Sequence, residues 1–260
     1  MHAQSLPHTA LKLRNYGNGM AEIGWSFVAA NPPVKGARGT VLSEEHQTRS
    51  QRRAASGLRR ACQTMAADHL VTLTYRENVA DFEIAARDLT HFIRIVTSKK
   101  PTWQYVAVPE RQQRGAFHWH IAVKGWQDVA FLRAAWLSVV GKNQGNIDVR
   151  APRAWSSRRA DQREAPPPSI RIAFYLAKYI SKSFTEDTIG RPLNAQRYRV
   201  SKRIHVPLMA LSLATADRAK IDEFIADLFA EIGRSAGIVD LKATVNVSCD
   251  NGLAGWSCTW

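Results

Sequence analysis

The hydrophobic and polar positions of the chain alternate between strand-like and helix-like periods from residue 69 to residue 150. Runs of alternating or β-branched apolar residues predict four strands, at 69–75, 102–110, 116–125 and 146–150. Apolar residues at helical spacing predict two helices, at 81–97 and 128–141. This β-α-β-β-α-β order predicts an α+β fold in which an antiparallel sheet carries helices on one face, as in ferredoxin-like domains.

The segment before this core has a weaker pattern. Residues 1–42 carry few periodic signals and scattered Gly and Pro, so we expect an irregular N-terminal arm. Residues 43–67 predict a basic helix, with Ser43 as its capping residue and acids in its first turn. Gly57 lowers the helix propensity of this segment.

The segment after the core returns to recognisable elements. We expect a basic, Pro-rich loop, a helix, a strand-like segment and an amphipathic helix at 151–168, 169–184, 197–206 and 215–233. The tail 234–260 has no pattern that assigns it a structure. The expected organisation is therefore one globular domain at 68–210, with 211–260 as a C-terminal helix and tail.

The charge of the chain narrows the classes of partner. Its 260 residues include 36 Lys and Arg against 22 Asp and Glu, a formal net charge of +14. Such a surplus favours a polyanion, with nucleic acid first and an anionic membrane second. No apolar stretch approaches the roughly 18 residues that cross a bilayer, and no apolar signal segment opens the chain. No phosphate-binding loop of the GxxxxGK[ST] type is present, so no nucleotide cofactor is expected.

The cysteines point to a reducing compartment. Cys62, Cys249 and Cys258 show no CxxC spacing, which argues against a zinc ribbon and against a disulfide framework. A cytoplasmic location is therefore expected.

Two histidines interrupt the third predicted strand. His118 and His120 stand two residues apart and share one face, because side chains alternate across a strand. Glu110 ends the preceding strand, and the hairpin returns it beside the histidines. Two imidazoles and one carboxylate are a ligand set for a divalent ion, and Mg²⁺ or Mn²⁺ suits a phosphate substrate. The alternative is a pair of sheet-surface histidines with ordinary hydrogen bonds.

The helix predicted at 169–184 aligns tyrosines with lysines. Tyr175, Lys178, Tyr179 and Lys182 form one narrow stripe at 100° per residue, opposite the apolar arc that is expected to pack on the sheet. We expect this stripe to point away from the core or across a cleft. A nearby cation favours the phenolate, and lysine neutralises the charge of a phosphoryl transition state. These residues therefore suit cleavage of DNA by a tyrosine, and the alternative is an amphipathic helix with a mixed polar face.

Three segments in order resemble the motifs of the HUH endonucleases, and within them the rolling-circle replication initiators (Rep proteins) of small single-stranded-DNA phages and plasmids. They are "HLVTLTYR" from His69, "HWH" from His118 and "YLAKYISK" from Tyr175. The resemblance covers roughly 68–205. It implies an HUH endonuclease domain with a ferredoxin-like or RRM-like fold, a five-stranded antiparallel sheet, and the histidines on its central part.

The resemblance also implies a reaction. An initiator makes a site-specific nick in one DNA strand, leaving a 5′-phosphotyrosine link and a 3′-hydroxyl that primes synthesis. Tyr175 and Tyr179 would both act, the second transferring the strand, or one alone would act; the sequence leaves this open. The implied partners are single-stranded or supercoiled origin DNA and a host helicase and polymerase, in the cytoplasm of a bacterial host.

Basic residues in three segments are expected to line a groove for the phosphate backbone. They are Arg49, Arg52, Arg53, Arg59, Arg60, Arg153, Arg158, Arg159, Arg197, Arg199, Lys202 and Arg203. Trp155 and Tyr198 lie among them and are expected either to stack on unpaired bases or to pack locally.

Two other functions stay open at this point. A single-tyrosine HUH transposase shares the motifs and their order, although such enzymes are generally smaller. A nucleic-acid-binding module without enzymatic activity explains the charge and the fold, but not the histidines and the tyrosine stripe together.

Overall fold

The computed structural model describes residues 8–17, 20–28, 44–151, 167–185, 196–215, 217–235, 243–244 and 253–259. The chain divides into two compact units. One unit contains Arg38–His205, and the other combines Met1–Ala37 with Val206–Trp260. Among the described residues, none of the helices combines the length and the apolar character that crossing a bilayer requires.

Strands and helices alternate along most of the described chain. In order they are β1 His8–Gly17, β2 Met20–Val28, α1 Glu44–Thr64, β3 His69–Tyr75, α2 Phe82–Lys99, β4 Tyr105–Arg111, β5 Phe117–Val123, α3 Val129–Val140, β6 Gly145–Arg150, α4 Pro168–Thr185, β7 Arg199–Val200, β8 Met209–Leu213, α5 Arg218–Ser235, β9 Ala243–Thr244 and β10 Leu253–Thr259. The strands and helices that the periodicity predicts between residues 69 and 150 are all present, with small shifts at their ends.

A five-stranded antiparallel sheet organises the unit Arg38–His205. Its strand order is β6-β3-β5-β4-β7, which puts β5, the histidine strand, at the centre. In this register His118 lies opposite Thr74 on one side and Glu110 on the other. The predicted α+β class and antiparallel sheet are confirmed.

One face of this sheet packs against α2 and α3. Trp119 and Ile121 of β5 join Phe92 of α2 and Trp136 of α3 in a common core. Trp119 is 1 % exposed, and its indole nitrogen donates a hydrogen bond to the Ala85 carbonyl at 3.1 Å. The apolar residue between the two histidines is therefore an anchor of this core, and it fixes the opposite direction of both imidazoles.

The other face of the sheet is also covered, which corrects the expectation that the helices lie on one face. Leu58 and Cys62 of α1 and Leu176 and Ile180 of α4 form a second core with strand residues such as Val108. Every position of β5 is buried, so side chains on both faces of the strand need a covering layer. Alternation alone did not reveal this, because the two histidines made one face look polar.

Helix α1 packs closely against the segment that leads into β7. A Cβ atom placed on Gly57 would collide with the hydroxyl of Tyr198, so glycine at this helix position makes room for the tyrosine ring. Tyr198 packs against the core that α1 and α4 share. Of the two roles expected for Tyr198, the structure favours local packing over base stacking.

The second unit corrects the prediction of an irregular arm at 1–42. Strands β1 and β2 pair as an antiparallel hairpin within a sheet of order β8-β1-β2-β10-β9. Leu11 and Ile23 from the hairpin form a small core with Ile221 and Ile225 of α5. The predicted C-terminal helix is confirmed as α5, but the tail 234–260 contributes β9 and β10 to this sheet. This unit has a sheet and core of its own because its apolar residues alternate along both strands of the hairpin.

Candidate active site

The two histidines lie buried at the centre of the sheet, held from the neighbouring strand by threonines. His118 and His120 are 7 % and 4 % exposed. Nδ1 of His120 lies 3.2 Å from the Thr72 hydroxyl, and Nδ1 of His118 lies 3.5 Å from the Thr74 hydroxyl. Both contacts follow from the β3–β5 register, which places each threonine opposite its histidine. The Nε2 atom of each ring is therefore the one left for a further interaction.

Glu110 occupies the position predicted for it, beside the histidines. Its carboxylate lies 2.7 Å from His120 Nε2. Burial alone would raise the pKa of Glu110, but the hydrogen bond with His120 and the charges of His120, Lys182 and His118 together lower it. The carboxylate is therefore ionised at neutral pH.

His118 Nε2 is the open position of this cluster. It is a buried nitrogen without a hydrogen-bond partner among the described residues. Burial, followed by the charge of His120, lowers the pKa of His118 to about 4, with Glu110 opposing and Arg114 adding to the shift. His118 is therefore neutral at physiological pH, the protonation state in which an imidazole binds a cation.

Both candidate tyrosines lie against His120. The Tyr179 ring stacks on the His120 ring at a centroid distance of 4.5 Å and an interplanar angle of 15°. Tyr175 meets the same imidazole edge to face, 5.6 Å between centroids. The hydroxyl of Tyr179 donates a hydrogen bond to the hydroxyl of Tyr175 at 2.7 Å. The structure thus brings the histidine motif and the tyrosine motif into one site.

The tyrosine stripe faces the sheet and does not point away from the core. Tyr179 is 7 % exposed and Tyr175 is half-buried, because Leu176 and Ile180 anchor α4 on the sheet on the same side. Burial, the hydrogen bond with Tyr175 and the negative charge of Glu110 all raise the pKa of Tyr179. Of the two hydroxyls, that of Tyr175 is therefore the more accessible.

The two lysines of the stripe stay at the exposed rim. Lys178 Nζ lies 5.0 Å from the Tyr175 ring centroid and 5.7 Å from that of Tyr179. Lys182 lies close enough to Glu110 for its charge to lower the carboxyl pKa. Positive charge therefore borders the tyrosines, as the spacing predicted.

The metal predicted for this site is supported by the ligand types but not by a ready-made cage. Among the residues that the structure describes, no group of three or more His, Cys, Asp or Glu side chains is arranged to hold a metal ion. His120 and Glu110 are paired with each other, whereas His118 Nε2 is buried and unpartnered. Two neutral imidazole nitrogens and a carboxylate fit a divalent cation, with the orphaned nitrogen as the observation that favours it.

The basic residues predicted on α1 are divided between solvent and helix contacts. Arg49, Arg52 and Arg53 are exposed, and Arg59 and Arg60 are half-buried. Arg59 donates a hydrogen bond to Gln63 at 2.8 Å. Because α1 packs alongside α4, these arginines lie on the same side of the sheet as the tyrosines. Their contact with DNA stays a prediction.

The basic residues near β7 do not form one surface with the site. Arg199 donates a hydrogen bond to the Thr90 hydroxyl of α2 at 2.7 Å and lies 5.9 Å from the Trp119 ring, on the face opposite the histidines. Lys202 and Arg203 are exposed in the turn after β7, and Arg197 is half-buried before it. Arg153, Trp155, Arg158 and Arg159 lie outside the described residues.

Sequence reasoning missed the residues that hold the histidines in place. Thr72 and Thr74 stand two apart in the "TLT" of the first motif, and their spacing matches that of the histidines on the paired strand. That matched spacing was the available signal. Arg114 was also missed; its guanidinium donates to the Tyr75 and Arg76 carbonyls at 2.8 and 3.2 Å.

The fold and the site define the HUH arrangement: a five-stranded antiparallel sheet, a histidine pair on its central strand and a tyrosine helix above it. The family model of the replication-associated protein ORF2 matches residues 68–184. The match covers all three motifs and confirms the resemblance to the Rep proteins of rolling-circle replication over this part of the chain. No curated protein and no solved structure shows a significant match to the chain.

Proposed function

We propose that the chain is a site-specific single-strand DNA endonuclease that initiates rolling-circle replication through a covalent 5′-phosphotyrosine intermediate. The observation that carries the proposal is the contact of both tyrosine rings with His120, next to Glu110 and the unpartnered His118 Nε2. The match to a replication-associated family supports the biological setting. Origin DNA is the proposed substrate, and a host helicase and polymerase are the proposed partners in a bacterial cytoplasm.

The first attack is assigned to Tyr175. Its oxygen accepts the hydrogen bond from Tyr179, so a developing phenolate on Tyr175 is stabilised by a donor already in place. Tyr179 gives up its own proton less readily, because burial and the charge of Glu110 raise its pKa. Lys178, near the Tyr175 ring, adds positive charge where the phosphodiester would approach.

The chemical step conserves atoms and charge. The Tyr175 oxygen forms a bond to phosphorus while the bond from phosphorus to the 3′ oxygen breaks. The phenolic proton is transferred in balance to the departing 3′ oxygen, which leaves as a hydroxyl. The 5′ end of the cut strand stays attached to the protein. Tyr179 is then placed, 2.7 Å from the Tyr175 oxygen, to act in a second transfer.

Mg²⁺ or Mn²⁺ is the proposed cofactor. His118, His120 and Glu110 would hold it, and the ion would supply positive charge that polarises the phosphodiester. Thr72 and Thr74 keep the Nδ1 side of each imidazole engaged, so that the Nε2 side is available. His120 would have to release its hydrogen bond with Glu110, and both partners stay within reach of the same position.

The test is a covalent-capture experiment. The protein is incubated with Mn²⁺ and a labelled pool of random single-stranded oligonucleotides, and denaturing electrophoresis separates protein–DNA adducts. An adduct is expected with the natural protein and with Tyr198→Phe, a matched loss of a hydroxyl away from the site. It should be absent when Tyr175 and Tyr179 are both changed to Phe. Sequencing the captured DNA identifies the cleaved site.

Three outcomes contradict the proposal. An adduct that persists in the double variant refutes the tyrosine assignment. DNA binding without cleavage under any metal supports a binding module instead. Capture that requires hairpin ends of a mobile element, rather than an origin sequence, supports the single-tyrosine transposase.

A further inference from the structure

A pocket lies at the end of β4 and β5 that is remote from the histidines. Its volume is about 460 Å³, and two segments bound it: the end of α2 with the turn that follows, and the loop between β5 and α3. Lys124, at its edge, follows His120 by four residues along the strand direction, roughly 13 Å at the rise of a β-strand. The pocket is therefore separate from the tyrosine site but lies along the same pair of strands.

An exposed indole dominates this pocket. Trp126 is 77 % exposed, the highest value among the exposed large apolar side chains of the described residues. The loop that presents it is well fixed: the Gln127 side-chain amide donates to the Lys124 and Gly125 carbonyls at 3.1 and 2.9 Å. Gly125 N donates to the Asp68 carboxylate at 2.6 Å. The ring is thus held in solvent by an ordered loop, and an exposed apolar group held in this way marks an interaction site.

Lysines surround the indole. Lys99, Lys100 and Lys124 line the same pocket. Lys100 Nζ lies 5.8 Å from the Trp126 ring centroid. The carboxylates nearby are already engaged, Asp68 with Gly125 N and His69, and Asp128 as the cap of α3. The pocket therefore offers an aromatic face together with uncompensated positive charge.

This combination matches the chemistry of single-stranded nucleic acid. Aromatic side chains stack on unpaired bases, and adjacent lysines neutralise the phosphates. A duplex hides its bases in the stack, so a ring held at a pocket mouth suits a single strand better than a duplex. The Gln104 side chain lines the pocket and donates to the Arg203 carbonyl at 3.2 Å, which places the basic turn at Lys202 and Arg203 next to it.

We propose that Trp126, with Lys99, Lys100 and Lys124, forms a second single-stranded-DNA contact, at which an unpaired base stacks on the indole. The assignment rests on the proposed function, since that function makes single-stranded DNA the substrate. A strand bound along β4 and β5 would be held at two points, at the tyrosines and at Trp126. The second contact would fix the position of the strand relative to the nucleophile.

Binding and cleavage are separated in the test. Fluorescence anisotropy of a labelled oligothymidylate measures affinity in chelator, with both Tyr175 and Tyr179 changed to Phe in every variant. Trp126→Ala is expected to raise Kd by about 5- to 100-fold, the range for loss of one stacked base. Trp126→Phe should retain most of the affinity, because it preserves an aromatic face.

The charge contribution is tested by salt dependence. Lys124→Gln should reduce the slope of log K against log [salt] by about 0.7, the value for one phosphate contact with a single strand. Lys142→Gln removes an equal charge from an exposed turn elsewhere and serves as the matched control. An oligonucleotide with abasic residues should weaken binding to the natural Trp126 protein but not to Trp126→Ala.

The outcomes are distinguishable from those of the proposed function. Trp126→Ala that folds normally by circular dichroism and binds DNA with unchanged Kd overturns this inference, as does equal sensitivity of both proteins to abasic sites. Unchanged DNA binding together with a protein partner captured at Trp126 overturns it in favour of a protein interface. If no adduct forms with intact tyrosines while Trp126→Ala still weakens DNA binding, the nicking proposal fails and this contact stands.

Discussion

The ring of Tyr179 lies nearly parallel to the ring of His120, 4.5 Å away. These residues are far apart in sequence and come from the last helix of the unit Arg38–His205 and from its central strand. Their contact exists because Leu176 and Ile180 hold α4 against the face of the sheet that carries the histidines. It joins the nucleophile motif to the histidine motif, and four predictions follow from it and from the packing around it.

The two tyrosines should differ in the first cleavage step. Tyr175→Phe should abolish adduct formation, because it removes the proposed nucleophile. Tyr179→Phe should leave an adduct but slow its formation by about 5- to 10-fold, since it removes one hydrogen bond, worth about 1 kcal/mol, from the Tyr175 oxygen. Single-turnover kinetics on a labelled oligonucleotide measures both rates. The reverse pattern would assign the first attack to Tyr179.

The threonines of β3 should control metal affinity. Thr72→Val and Thr74→Val remove the hydroxyls that contact the histidine Nδ1 atoms and should weaken Mn²⁺ binding by about 10- to 100-fold. Isothermal titration with Mn²⁺ measures this without any DNA. Thr97→Val is the matched control, because the Thr97 hydroxyl contacts only backbone carbonyls of α2. Equal Mn²⁺ affinity in all three variants would show that the hydroxyls do not position the rings.

His118 should make the metal-free protein less stable in acid. Its pKa is lowered from 6.5 to about 4 on folding, so between these values the unfolded chain binds more protons than the folded one. The stabilisation is complete above pH 6.5 and is lost as the pH falls towards 4. Urea unfolding in chelator should therefore show a flatter pH dependence for His118→Gln over this window, by at most about 1.4 kcal/mol per pH unit. Identical slopes for the two proteins would contradict the pKa shift.

Gly57 should resist replacement for a reason specific to Tyr198. Gly→Ala inside a helix normally stabilises by up to about 1 kcal/mol. Here the added methyl group meets the Tyr198 hydroxyl, so Gly57→Ala should give no such gain and should shift the ring. In a Tyr198→Phe background the gain should reappear. Thermal unfolding of the four proteins of this double-mutant cycle gives the coupling, and an additive result would contradict the contact.

The pattern of the sequence was sufficient for the elements between residues 69 and 150, because each has a strong period and clear end signals, such as the Asp81 and Asp128 caps. It was insufficient for β1 and β2. Their alternation at Leu11 and Leu13 was overlooked among Gly and Asn residues, and the strands find their partners β8 and β10 more than two hundred residues away. Pairing over such a distance leaves no local signal.

The order and spacing of the histidine, glutamate and tyrosine motifs were determined by the sequence itself, because strand alternation and helix periodicity fix which side chains share a face. The tertiary structure alone decided that α4 lies on the histidine face, that Tyr179 is buried there, and that Thr72 and Thr74 hold the imidazoles. It also decided that Trp126 stands in solvent beside three lysines. Periodicity describes one element at a time, whereas these relationships depend on which apolar surfaces pack together across the sheet.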